Sequence, residues 1–85
     1  MPYEMRLTDP NGYTVPTAVR YQVADDQREA TEKELRDLAT EDAAQQRAVL
    51  LHNAEGLTGV SAENTRAAAN QIRATDYKIQ AIALG

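Results

Sequence analysis

The first quarter of the chain alternates between apolar and polar residues, which is the pattern of a half-buried β-strand. Tyr3, Met5 and Leu7 share one side of a first run, and the alternation resumes at Tyr13. Between the two runs, residues 9–12 read Asp-Pro-Asn-Gly, an order that suits a tight turn. We therefore predict that residues 3–23 form a β-hairpin or, if the two runs do not pair, an extended arm.

Pro16 interrupts the second run without excluding a hairpin. It cannot donate a ladder hydrogen bond, so it belongs on an outward-facing position or at a bulge. A lone two-stranded ribbon is marginal in water, so the ribbon needs an apolar surface beneath it. Two sources of this surface fit the pattern, namely the helices of the same chain and a neighbouring copy. The side chains expected to dock are Tyr3, Met5, Leu7, Tyr13, Val15, Val19 and Tyr21.

A long helix is predicted next, over about 26–55, where the chain has neither Pro nor Gly. Asp26 followed by Glu29 resembles a capping box. Gln46 interrupts the apolar stripe, and a polar residue there either fixes the register of a helix pair or turns sideways to solvent. The stripe at helical spacing consists of Leu35, Ala39, Ala43, Leu50 and Ala54.

A short turn with two glycines, within residues 55–61, precedes a second predicted helix over about 62–84. The short connection predicts that the two helices lie antiparallel. A heptad repeat on the second helix predicts a seam for self-association, made of Thr65, Ala68, Ile72, Thr75, Ile79 and Ile82. The expected fold is mainly α, a single small domain over 1–85 with the arm or β-hairpin at 1–23 and the helical hairpin at 24–85.

Composition argues against an active site. The chain has 85 residues, no Cys and one His, so we predict no metal site, no cofactor and no disulfide. His52 lies near the end of the first predicted helix, an ordinary surface position. Neighbouring carboxylates such as Glu41 and Asp42 point in different directions on a helix. Neither glycine-containing loop matches a phosphate-binding motif, so we predict no enzymatic activity and no small-molecule substrate.

The distribution of charge along the chain limits the classes of partner that we expect. The net charge is −4, and residues 24–55 carry nine acids against four bases. Nucleic acid requires a basic face, so it is not an expected partner. No apolar run reaches the roughly 20 residues of a membrane span, and the first ten residues do not resemble a signal peptide. We expect no membrane association and a place in the cytoplasm or in a virus particle.

These features predict a non-enzymatic assembly protein that binds itself and another protein. Small subunits of virus particles, such as phage capsid, connector or fibre-base proteins, offer a fold-level analogy. The alternative is an acidic inhibitor or antitoxin-like regulator that blocks a basic surface, whose binding would weaken steeply with salt. A third hypothesis is a small enzyme or ligand-binding protein formed at an oligomer interface.

Overall fold

The computed structural model describes residues 2–84. Its fold is mixed α and β, with a three-stranded antiparallel sheet in the order β2-β1-β3. Short 3₁₀ turns at Asp25–Gln27 and Ala74–Asp76 precede α1 and β3 respectively. The elements in chain order are β1 (Tyr3–Thr8), β2 (Thr14–Val23), α1 (Arg28–Glu55), α2 (Gly59–Gln71) and β3 (Lys78–Ala83).

The predicted β-hairpin forms, because the turn at residues 9–12 has the expected chemistry. The Asp9 carboxylate accepts hydrogen bonds from the backbone N–H groups of Asn11 and Tyr13. Gly12 donates its N–H to the Asp9 carbonyl at 3.0 Å. Gly12 has φ 91°, a conformation that glycine adopts without steric cost. The strands pair from Tyr3 opposite Val23 to Thr8 opposite Thr14, with two register shifts between these ends.

The first helix forms within two residues of its predicted limits, but the second predicted helix, 62–84, is wrong. α2 begins at Gly59 and ends at Gln71, and β3 follows instead of further helical turns. β3 pairs with β1 in an unbroken register from Ala83 opposite Tyr3 to Lys78 opposite Thr8. The mainly α prediction is therefore corrected to a sheet with one long and one shorter helix.

The physical reason for this correction is the second edge of β1. β2 satisfies only one side of that strand, and an unpaired backbone group that is buried costs free energy. Tyr77 and Ile79 alternate with Lys78 and Gln80, so this segment also fits a strand with one buried face. Pairing with β1 and burial of Tyr77 outweigh the heptad spacing, which depended on two threonines as well as isoleucines.

The hydrophobic core lies between α1 and the face of the sheet that it covers. Leu35, Ala39 and Ala43 on α1 are buried against the strands. The two alanines allow the helix backbone to lie close to the sheet, so the core is thin. The sheet and the chain that leads into β3 contribute Met5, Leu7, Val15, Ala18, Val23 and Tyr77.

α1 is much longer than the sheet that it covers. A helix of 28 residues spans about 42 Å, whereas a strand of six residues spans about 20 Å. The second half of α1 therefore projects and pairs with α2, where Ala54, Ala62 and Ala69 are buried. The radius of gyration is 16.0 Å, against about 12 Å for a compact domain of this length. The molecule measures 54 × 18 × 17 Å.

Leu35→Ala tests the position of this core. Leu35 is 0% exposed, so we expect the truncation to lower the free energy of unfolding by about 2–5 kcal/mol. Urea denaturation measures the change. Leu51→Ala is the matched control, because Leu51 is on the same helix but 43% exposed, and its loss should cost less than about 1 kcal/mol. Equal losses in the two variants would contradict the packing described here.

Candidate functional site

The side chains predicted to dock divide into two groups. Met5, Leu7 and Val15 are buried in the core beneath α1 of the same chain, and Tyr3 and Val19 are half-buried. Tyr13 and Tyr21 are exposed. The ribbon thus uses its apolar face to complete its own fold, and only the two exposed tyrosines stay available for other contacts.

The residues of the predicted self-association seam do not share a helix face. Thr65 and Ala68 lie on α2, Ile72 follows the end of that helix and Thr75 is in a 3₁₀ turn. Ile79 and Ile82 lie on β3, and because neighbouring strand residues alternate, the two side chains point to opposite faces of the sheet. These six residues therefore do not form the helical seam that the heptad repeat predicted.

A polar network joins the sheet to the helices at the middle of α1. The Tyr77 hydroxyl donates to Asp42 Oδ2 at 2.5 Å, and Gln46 Nε2 donates to the same oxygen at 2.8 Å. Gln46 Nε2 also lies 3.2 Å from the Tyr77 hydroxyl oxygen. The polar interruption that Gln46 makes in the stripe of α1 is therefore a contact to the sheet side, neither a helix-pair register device nor a residue turned to solvent.

The same junction holds the end of α2. Arg47 Nη1 donates to the carbonyl of Ile72 at 2.9 Å, so a cation lies at the helix C-terminus. That position favours positive charge because the last carbonyls of a helix are partly negative. Arg47 thus stabilises the end of α2, at the point where the chain turns towards β3. The sequence gives no local signal for this contact, since the two residues are 25 positions apart.

The Tyr77–Asp42 pair is a structural device and does not present a reactive group. Burial raises the pKa of the Tyr77 hydroxyl, and the hydrogen bond to Asp42 and the negative charge of Asp42 raise it further. The phenol is therefore neutral at all ordinary pH values and cannot serve as a base. Asp42 in turn accepts from two neighbours, which orients its carboxylate within the fold.

Shallow grooves flank α1, and two of them lie beside β3 and beside α2. One separates α1 from β3, where Arg36 and Thr40 face Ile79 across an apolar floor that includes Leu7 and Tyr77. The other lies at the junction, and its lining residues are Pro10, Asn11, Gln46, Leu50, Ala68, Gln71 and Ile72. Within residues 2–84 no group of three or more His, Cys, Asp or Glu side chains is placed to hold a metal ion.

The acidic part of α1 is partly neutralised by ion pairs. Arg20 on β2 contacts Glu34 with two guanidinium nitrogens, at 2.6 and 3.0 Å, and Arg36 contacts Glu32 at 3.0 Å. Exposed pairs of this kind contribute at most about 1 kcal/mol each. They nonetheless reduce the free negative charge that an inhibitor of a basic surface would need.

Comparisons with known proteins give no information about function, so a proposal has to be argued from the chain's own geometry. A scan against protein-family models and searches of curated proteins and of solved structures find no match. Across the part of the chain that the structure describes, no helix is both long and apolar enough to cross a membrane.

Tyr77→Phe tests the junction. Losing the hydrogen bonds of the hydroxyl to a charged carboxylate should lower the free energy of unfolding by about 1–3 kcal/mol at pH 7. Because the folded pKa of Tyr77 is raised above its unfolded value of about 10, the hydroxyl's contribution is complete below pH 10 and decreases above it, by up to about 1.4 kcal/mol per pH unit. Denaturation at pH 7, 9 and 11 should show a constant gap between wild type and variant up to about pH 10 and a narrower one beyond.

Tyr21→Phe is the control for this experiment, because Tyr21 is 69% exposed. Its unfolding free energy should match that of the wild type at each pH. A Tyr77→Phe variant as stable as the wild type at pH 7 would show that the junction contributes nothing.

Proposed function

We propose that this protein is a non-enzymatic assembly protein that joins copies of itself through its projecting helical hairpin. One observation carries the proposal: the end of the hairpin, residues 49–60, keeps large aliphatic side chains in solvent. We call this segment the tip. Its exposed aliphatic residues are Val49, Leu51, Leu57 and Val60.

In an isolated molecule these exposed side chains add little to the stability of the tip. Among the described residues, the pairing of α2 with α1 fully buries only alanines, which contribute little apolar area to the hairpin. Burying these exposed aliphatic groups against another protein surface would favour association by roughly 25 cal/mol per Å² of apolar area removed from water. The exposed residues surround the tip and do not follow one helix face, which suits end-to-end contact better than a long helical seam.

Charge favours a second copy as the occupant of the tip. Residues 24–46 carry eight acids and three bases, whereas residues 47–71 carry two of each. Two copies that meet at their tips therefore bring neutral surfaces together and keep their acidic halves apart. Repulsion between the acidic halves is screened within about 8–10 Å in physiological salt. The contact is small, so we expect reversible association in the micromolar range.

Sedimentation equilibrium of the purified protein, from about 5 to about 500 μM, tests this function. We expect Val60→Asp to weaken tip association at least tenfold, because the apolar contact would have to desolvate a carboxylate. Tyr21→Asp is the matched control, since Tyr21 is 69% and Val60 71% exposed and Tyr21 lies on β2. Equal association of wild type and Val60→Asp would exclude the tip as the contact surface. A wild type that stays monomeric and binds only a different protein would show that the tip serves a heterologous partner.

A further inference from the structure

The two edges of the sheet are protected to different degrees. β2 carries Pro16, which lacks a donor, and its register with β1 shifts twice. Gln22, near one shift, has φ 57°. This left-handed conformation is uncommon for a residue with a side chain and is consistent with a bulge at this point. Prolines and bulges are devices that stop an edge strand from pairing with another chain.

β3 carries none of these devices. Its register with β1 is continuous over six residue pairs, and its sequence, Lys-Ile-Gln-Ala-Ile-Ala, contains no Pro, no Gly and one charge. All of its residues except Ile79 are exposed. α1 is separated from the strand by a groove, so the helix does not block the free edge.

The register shows which backbone groups face outward. Leu84 donates its N–H to the Pro2 carbonyl at 2.9 Å, which makes this a hydrogen-bonded pair of the antiparallel ladder. Such pairs alternate along antiparallel strands. Lys78, Gln80 and Ile82 therefore bond to β1. The residues between them, Ile79, Ala81 and Ala83, direct their N–H and C=O groups along the open edge.

We propose that β3 pairs antiparallel with β3 of a second copy around a two-fold axis at Ala81, which joins two sheets into one of six strands. This inference rests on the proposed assembly role and adds a second interface to it. Ala81 then lies opposite Ala81, and Ile79 opposite Ala83 of the other copy. Each strand directs three N–H groups and three C=O groups along its open edge, and this pairing gives every one of them a hydrogen-bond partner.

The side chains of β3 are compatible with this symmetry. The strand's only charged residue, Lys78, falls opposite Leu84, so no like charges oppose each other. On the helix side the closest cross-strand pair is two alanines, which leave room for both copies of α1 on one face. The acidic halves of these helices come onto the same face, so we expect the dimer to tighten when salt is raised.

A strand-to-strand contact of this length buries less than the roughly 1,200 Å² of a typical stable complex. We therefore expect a reversible dimer with micromolar affinity. Its measurement requires that the tip contact be removed first, so each variant of the edge is made in the Val60→Asp background.

Ala81→Lys tests the edge. In that background it places two lysines directly opposite each other and should weaken dimerisation at least tenfold in sedimentation equilibrium. Ala81→Val is the matched control and should keep the dimer, because it adds an uncharged side chain that favours strands. Dimerisation that is equal in the lysine and valine variants would overturn the edge pairing while leaving assembly through another surface. A Val60→Asp protein that stays monomeric up to about 500 μM would overturn it outright.

Single cysteines test the register, since the natural chain has none. The symmetry places the Cα atoms of the two Ala81 residues about 5.5 Å apart, within disulfide range. Ala81→Cys should form a covalent dimer under mild oxidation. Ala83→Cys, on the same strand and face, should not, because the two copies of that residue lie about 13 Å apart or more. Equal cross-linking of both variants would contradict the proposed axis.

Discussion

The structure depends on the pairing of β1 on both of its sides. β2 reaches one side through a tight turn, and β3 reaches the other only after the chain has passed through both helices. Because the last strand must return to the sheet, α2 ends at Gln71 and the helical hairpin stays short. The same pairing creates the open edge of β3, whereas the greater length of α1 leaves its second half beyond the sheet and produces the tip.

The elements that local sequence determines are the ones that could be predicted. The turn at residues 9–12 and the alternation around it specify the hairpin, and a run without Pro or Gly specifies α1. Residues 72–83 satisfy two periods at once, since Ile72 and Ile79 are seven apart while Tyr77 and Ile79 are two apart. The decision between helix and strand comes from the distant, unpaired side of β1, which no local pattern contains.

The polar junction was equally hidden for a physical reason. Asp42 and Tyr77 are 35 residues apart, and nothing near either one marks the pair. The only local sign was Gln46, a polar residue within an apolar stripe, which hydrogen-bonds with Asp42 and with the Tyr77 hydroxyl. Arg47 and Tyr77 together connect the helical hairpin to the sheet, so the long molecule is fixed at its middle by side chains from both halves of the chain.

Residue-resolved amide hydrogen exchange across residues 72–84, measured on the dilute protein, is the most direct test of this topology. The account predicts alternation: Gln80 and Ile82, bonded to β1, exchange slowly, whereas Ile79 and Ala81, which face the open edge, exchange fast. Uniform slow exchange through this segment, as in a helix continuing from α2, would contradict the account.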